Sequence, residues 1–171
     1  MKGLKKLIFL SLLVSLGLAL SVIESMMPIP FVAPGAKLGL SNIVILITMV
    51  LFGFKEALIV GILKSFVFIL VTGSVSSLFY SLSGSILSLF TMYLVFTKFS
   101  KVFSLIGVSI FGAIAHNFAQ ILVASLMMKN FRIFSYYPIL MLTSLFTGYF
   151  VGLASIYILR NLKKHMKIYF Y

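Results

Sequence analysis

The sequence has no cysteine, no tryptophan and no aspartate, and its only carboxylate side chains are Glu24 and Glu56. Without cysteine there are no disulfides, iron–sulfur clusters, thiolate zinc sites or cysteine nucleophiles. Without aspartate the paired motifs that hold magnesium diphosphate in prenyl-transfer enzymes are excluded. A Gly-x-x-x-x-Gly-Lys phosphate loop is also missing, so the chain does not hydrolyse ATP through that machinery. Charge is scarce altogether: 9% of the 171 residues carry it, against ~25% in a soluble domain.

What fills the chain instead is hydrocarbon, with 62% apolar residues and a mean hydropathy of +1.23. This is the composition of an integral membrane protein. At ~20 residues per spanning helix, 171 residues hold about six or seven crossings and leave no room for a soluble catalytic domain. One all-α membrane domain over residues 1–171 is expected. The net charge of +12 does not point to nucleic acid, because the basic residues sit in short groups at the ends of apolar runs, without interleaved aromatics. Tyr136, Tyr137, Tyr157, Tyr169 and Tyr171 lie near segment ends, where amphipathic rings favour the membrane interface.

The apolar pattern predicts helices over 4–27, 38–53, 55–72, 76–97, 102–128 and 136–160, a bundle of six crossings. The first starts behind Lys2, Lys5 and Lys6 and stops before Pro28, Pro30 and Pro34, which cannot continue a helix. Its length and the poor cleavage site at Ser25-Met26-Met27 argue against a removed signal peptide. Six crossings put both termini on one side. With the termini inside, ten basic residues fall at cytoplasmic ends (Lys2, Lys5, Lys6, Lys55, Lys98, Lys101, Arg160, Lys163, Lys164 and Lys167) and three at outer ends (Lys37, Lys129 and Arg132). That asymmetry places both termini in the cytoplasm.

At ~1.5 Å of rise per residue, polar side chains from five segments reach one outer level: Glu24, Asn42, Ser83, then His116, Asn117 and Gln120, then Thr143, Ser144 and Thr147. Lys64 stands near the middle of segment three, where a charge costs ~2.5–3.5 kcal/mol even on a lenient scale. Such groups belong in the bundle interior, which predicts a cavity open to the outside. In segment five, Ser109, Gly112, Ala113, His116, Asn117 and Gln120 share one face, small below and polar above. Lys37 precedes a helix start, where free amides favour an anion. A second core histidine is missing, so no metal site is expected. Interhelical hydrogen bonding is the bland explanation of the amides and the histidine, and a snorkelling stem that of Lys37. Segment one carries two rows of small residues, Ser11-Ser15-Ala19 and Gly17-Ser21-Ser25, suited to close helix docking.

Glu24 with Pro28-Ile29-Pro30, the stretch Pro34 to Asn42 containing Gly-Ala-Lys-Leu-Gly-Leu-Ser-Asn, Tyr80-Ser-Leu-Ser-Gly84, and Gly107 to Gln120 with Ala-His-Asn together resemble a bacterial family. It is named both Gx transporter and heptaprenyl diphosphate synthase component I. Lys64 stands where that family would carry an Arg, which loses bidentate anion geometry. The family is similar to the substrate-binding S components of energy-coupling-factor transporters, small six-helix membrane proteins that work with a transmembrane coupling protein and cytoplasmic ATPases. The resemblance implies a multi-pass protein of the bacterial cytoplasmic membrane that takes up a small anionic or zwitterionic metabolite. Glu24, Lys37, Asn42, Lys64, His116, Asn117 and Gln120 would contact it, loop 28–36 would gate it, and Ser11, Ser15 and Ala19 would dock the partner, with no cofactor and no catalysis. The alternative is a non-catalytic membrane subunit of a prenyl diphosphate synthase, holding the growing lipid or anchoring a catalytic partner.

Overall fold

The computed structural model describes residues 3–27 and 38–166, which are helical with no strand among them. The helices are α1 (Leu4–Met26), α2 (Asn42–Phe52), α3 (Phe54–Thr72), α4 (Val75–Lys98), α5 (Leu105–Met127) and α6 (Tyr137–Met166), with a 3-10 turn, Phe131–Tyr136, leading into α6. Each break has a local cause. Met27 turns to an extended conformation after α1, as a residue before proline must. Gly53, at φ +95, is the only residue between α2 and α3, in a conformation that a side chain would strain. Gly73 closes α3 in the left-handed region, its N–H bonded to Ile69 O at 2.8 Å, and the Ser74 hydroxyl caps α4 by accepting from Ser77 N–H.

Three boundaries differ from the sequence expectation by more than one residue. The second helix starts at Asn42 instead of 38, because Gly39 adopts φ +86 and the carbonyls of Gly39, Leu40 and Ser41 close a turn ahead of it. The fifth starts at Leu105 instead of 102, because Ser104 is extended and its carbonyl accepts the first helical bond, from Val108 N–H. The last runs to Met166 rather than 160; Arg160, Lys163 and Lys164 are good helix formers, and cations suit a helix C-terminus.

Four helical stretches are long and apolar enough to cross a membrane: Leu4–Met26, Val75–Lys98, Leu105–Met127 and Phe131–Lys164. With 11 residues, α2 is about 16 Å long, roughly half a hydrocarbon core. The 19-residue α3 carries Lys55, Glu56 and Lys64. By length and composition the structure thus supports four spans, and a count of six requires α2 and α3 as well.

The short helix is the central post. Val44, Ile45 and Leu46 are fully buried and Ile47 is 1% exposed; four successive helical residues point in four directions, so α2 has no outer face. All five other helices pack on it. Phe9 and Leu10 of α1 share a core cluster with Leu159 and Leu162 of α6, which puts the first and last helical turns at the same end. Outside, Leu70, Leu142, Phe146 and Phe150 are exposed, an apolar coat fit for lipid.

The most extensive interfaces join α5 to α6 and α4 to α5. Two glycines one turn apart on α6 set the first: a Cβ at Gly148 would lie 2.6 Å from Ile110 Cα, and one at Gly152 2.7 Å from Ile106 Cα. Backbone meets backbone there, as in small-xxx-small helix pairs. Gly148→Ala and Gly152→Ala should each destabilise the protein by about 1–3 kcal/mol through overpacking. Thermal unfolding in detergent checks this, and unchanged transitions would show that α5 and α6 are not in backbone contact.

Candidate functional site

The polar centre is built around the turn that starts α2. Glu24, in the last turn of α1, is 2% exposed, and its Oε1 accepts from Leu40 N–H at 2.8 Å. Lys64, in α3, is 1% exposed, and its Nζ donates to Ser41 Oγ at 2.8 Å. The two charges hold successive residues of one turn, and the Glu24 carboxylate's field acts on the Lys64 ammonium. The lysine stem reaches the turn by crossing α1 at Gly17, where a Cβ would come within 3.1 Å of Lys64 Cδ. Between α1 and α3 the described ion pair is a different one, Lys6 with Glu56, at the far end of the helices.

The amides at the start of α2 are occupied. Asn42, Ile43 and Val44 N–H bond to the Gly39, Leu40 and Ser41 carbonyls at 3.0–3.3 Å. The anion that sits beside this helix N-terminus is therefore Glu24 itself, in the place where the dipole favours negative charge. The expectation of free amides there gives way to an internal carboxylate.

The third component is His116 of α5, 2% exposed. Its ring is clasped between two glycines: a Cβ at Gly84 of α4 would lie 2.6 Å from Cε1, and one at Gly39 would lie 3.1 Å from Cδ2. At Gly84 only hydrogen leaves room for the imidazole, and at Gly39 a Cβ would be tight against it. Gln120, one turn on, places Nε2 2.8 Å from His116 Nε2. An amide N–H can only donate, so His116 Nε2 accepts and the ring proton lies on Nδ1. Asn42 completes the group. Its Nδ2 is 2.8 Å from where a Gly39 Cβ would be, its side chain is 3% exposed, and neither its oxygen nor its nitrogen has a hydrogen-bond partner.

Glu24, Lys64 and His116 thus converge on the turn that leads into Asn42, with Gln120 joined to it through His116, whereas the other described sequence candidates face elsewhere. Asn117 is turned to α6, where its Nδ2 donates to Ser144 Oγ at 2.8 Å and to Leu140 O at 3.2 Å, an interhelical tie. Ser83, Thr143 and Thr147 donate back to carbonyls of their own helices. The space above Gly112 is filled by Met92 of α4, whose Cγ would lie 2.4 Å from a Cβ there. Lys37 and loop 28–36 lie outside the described residues. Each of the convergent side chains is buried. Sequence reasoning did not single out Ser41, the partner of Lys64; a hydroxyl at a helix start reads as an ordinary cap.

The two small-residue rows of α1 separate. Gly17 and Ser21 are buried against the bundle, while Ser11, Ser15 and Ala19 are exposed. A cavity of about 330 Å³ runs between α1 and α3 beside that outer row, lined by Ser11, Ser15, Val14, Leu63 and Val67 among others.

Residues 13–158 match the family described as Heptaprenyl diphosphate synthase component I, and the chain belongs to it. No curated protein and no solved structure matches the chain.

If Glu24 and Lys64 act on one turn, their effects are coupled. Glu24→Gln and Lys64→Met, measured singly and together by unfolding in one detergent, should be non-additive by about 0.5–3 kcal/mol. Strict additivity would mean that the two side chains do not share the 39–42 turn.

Proposed function

We propose that this chain is a substrate-binding, S-component-like membrane subunit for uptake of a small zwitterionic or anionic metabolite. The observation that carries the proposal is Asn42: an amide with both polar atoms buried and unpartnered, beside His116 and between an anion and a cation held on the same turn. An unsatisfied buried polar group costs about 1–3 kcal/mol, a cost that a ligand's own donors and acceptors would remove. Glu24 and Lys64 supply opposite charges for a zwitterion, His116 and Gln120 its neutral hydrogen bonds, and Lys37 a further cation for an anionic group. Asn117 could contribute only its carbonyl oxygen, since its nitrogen is engaged with α6.

In this reading α2 and α3 count as crossings, giving six, and the ten-to-three distribution of basic residues sets both termini in the cytoplasm of a bacterial cell. The chain has no Gly-x-x-x-x-Gly-Lys phosphate loop, so in this reading energy comes from a transmembrane coupling protein with cytoplasmic ATPases. Ser11, Ser15 and Ala19, with the groove between α1 and α3, form the surface for that partner, because small residues admit a close helix.

The family's description supports a second reading, a non-catalytic membrane component of a prenyl diphosphate synthase. Reconstitution with the catalytic subunit separates the two. Product formation that requires this chain would replace the uptake proposal.

Cells expressing the chain with its partner should accumulate the substrate, and His116→Ala should lower uptake by roughly tenfold or more, the loss of about one hydrogen bond at a buried site. Gly84→Ala should do the same without touching the imidazole's chemistry, because its methyl occupies the ring's place. Uptake unaffected by both substitutions would overturn this placement of the site.

A further inference from the structure

A cavity of about 340 Å³ lies at the end of the bundle where α4 stops, α5 begins and α6 nears its C-terminus. Its apolar wall includes half-buried Phe96, Leu105 and Ile156 with buried Leu159, and Arg160 and Lys163 belong to the same lining. Leu105 stands eleven residues before His116 on α5, about 17 Å along the axis, so this cavity is separate from the polar centre.

The side chains that α6 contributes, at 156, 159, 160 and 163, have the i, i+3, i+4, i+7 spacing of a single helix face. Along that face the chemistry changes from hydrocarbon to cation toward the C-terminus. A membrane lipid has the same gradient, from acyl chain to phosphate. Orientation by positive charge alone would not select these two residues. Lys164, the next residue on α6, and Lys98 and Lys101, after Phe96 in the chain, are as basic but are not part of the lining.

We infer that this cavity binds one anionic phospholipid from the leaflet around the C-terminal end of α6, with an acyl chain along Phe96, Leu105, Ile156 and Leu159 and its phosphate held by Arg160 and Lys163. Charge complementarity selects the headgroup. The Arg160 guanidinium offers a planar fork matched to phosphate oxygens, and Lys163 adds a point charge. The volume is at the small end of ligand pockets, room for part of one chain while the rest of the lipid stays in the bilayer. Neither transport nor synthase activity enters the argument.

The test uses the purified full chain in nanodiscs with equal phosphatidylglycerol and phosphatidylcholine, with native mass spectrometry identifying the lipid that stays bound. The wild type should retain phosphatidylglycerol over phosphatidylcholine by roughly tenfold or more. Arg160→Gln with Lys163→Gln should abolish the preference, while Lys98→Gln with Lys101→Gln, an equal change in net charge, should keep it. Ile156→Trp, which fills the apolar wall and leaves both cations, should lose the lipid. Circular dichroism confirms folding, and if the Arg160/Lys163 double variant does not fold, the Ile156→Trp result decides. No preference in the wild type, equal loss in the Lys98/Lys101 variant, full displacement by inorganic phosphate, or retention of a polyprenyl phosphate in place of phosphatidylglycerol would each overturn the assignment.

Discussion

A half-length helix that begins inside an apolar bundle creates a constraint on which the other features depend. The first turn of any helix leaves N–H groups without intrahelical partners, and irregular backbone at membrane depth is tolerated only where protein satisfies it. The short helix α2 begins with such backbone, the turn at residues 39–41, and the two charges of the polar centre bond to it. The turn closes its own carbonyls onto the amides of Asn42, Ile43 and Val44, Glu24 takes the amide of Leu40, and Lys64 takes the hydroxyl of Ser41. Two charges that would be costly anywhere else in the bundle are there because this turn needs an acceptor and a donor.

That structural duty accounts for much of the polar chemistry at this level, which sharpens what remains. The Asn117 nitrogen is explained by α6, Gln120 by His116, and Thr143, Ser144 and Thr147 by their own helix. Asn42 is not explained by any such partner. A binding site within a membrane bundle is best sought where satisfied groups surround one that is not, since the satisfied groups hold geometry and the remaining one discriminates. Releasing the turn means breaking two hydrogen bonds to charged groups, about 1.5–3 kcal/mol each. A micromolar ligand, worth about 8 kcal/mol, is sufficient to offset that.

The helices were largely legible in the sequence because their punctuation was: proline after Met27, Gly53, Gly73 and the polar group at 129–132 all fall at observed ends. The start of α2 was not, because Leu38 and Leu40 fit an apolar helical pattern and only Gly39's positive φ breaks it. Glu24, Lys64 and His116 could be singled out by cost, as charges and an imidazole in hydrocarbon. Which of their neighbours they meet could not, because periodicity assigns a face without naming the opposing helix. Asn117 illustrates this: one residue from His116, it turns by about 100° and faces another partner. The pair Gly148 and Gly152 was readable as Gly-x-x-x-Gly but has no polar atom to draw notice.

Helix α1 joins the two regions that an uptake mechanism must connect. Its outer row, Ser11 and Ser15, borders the groove with α3, and its inner row carries Gly17 against the Lys64 stem and Glu24 against Leu40. One helix of 23 residues therefore presents an exposed row of small residues on one side and both attachments to the polar centre on the other. By contrast, α5 and α6 are locked by backbone contact at Gly148 and Gly152. A partner that shifts α1 would move Glu24 directly and Lys64 through Gly17, while His116 stays fixed on the rigid side. In the proposed reading this asymmetry is the means by which a docked protein opens the clasp between residues 39–42 and His116.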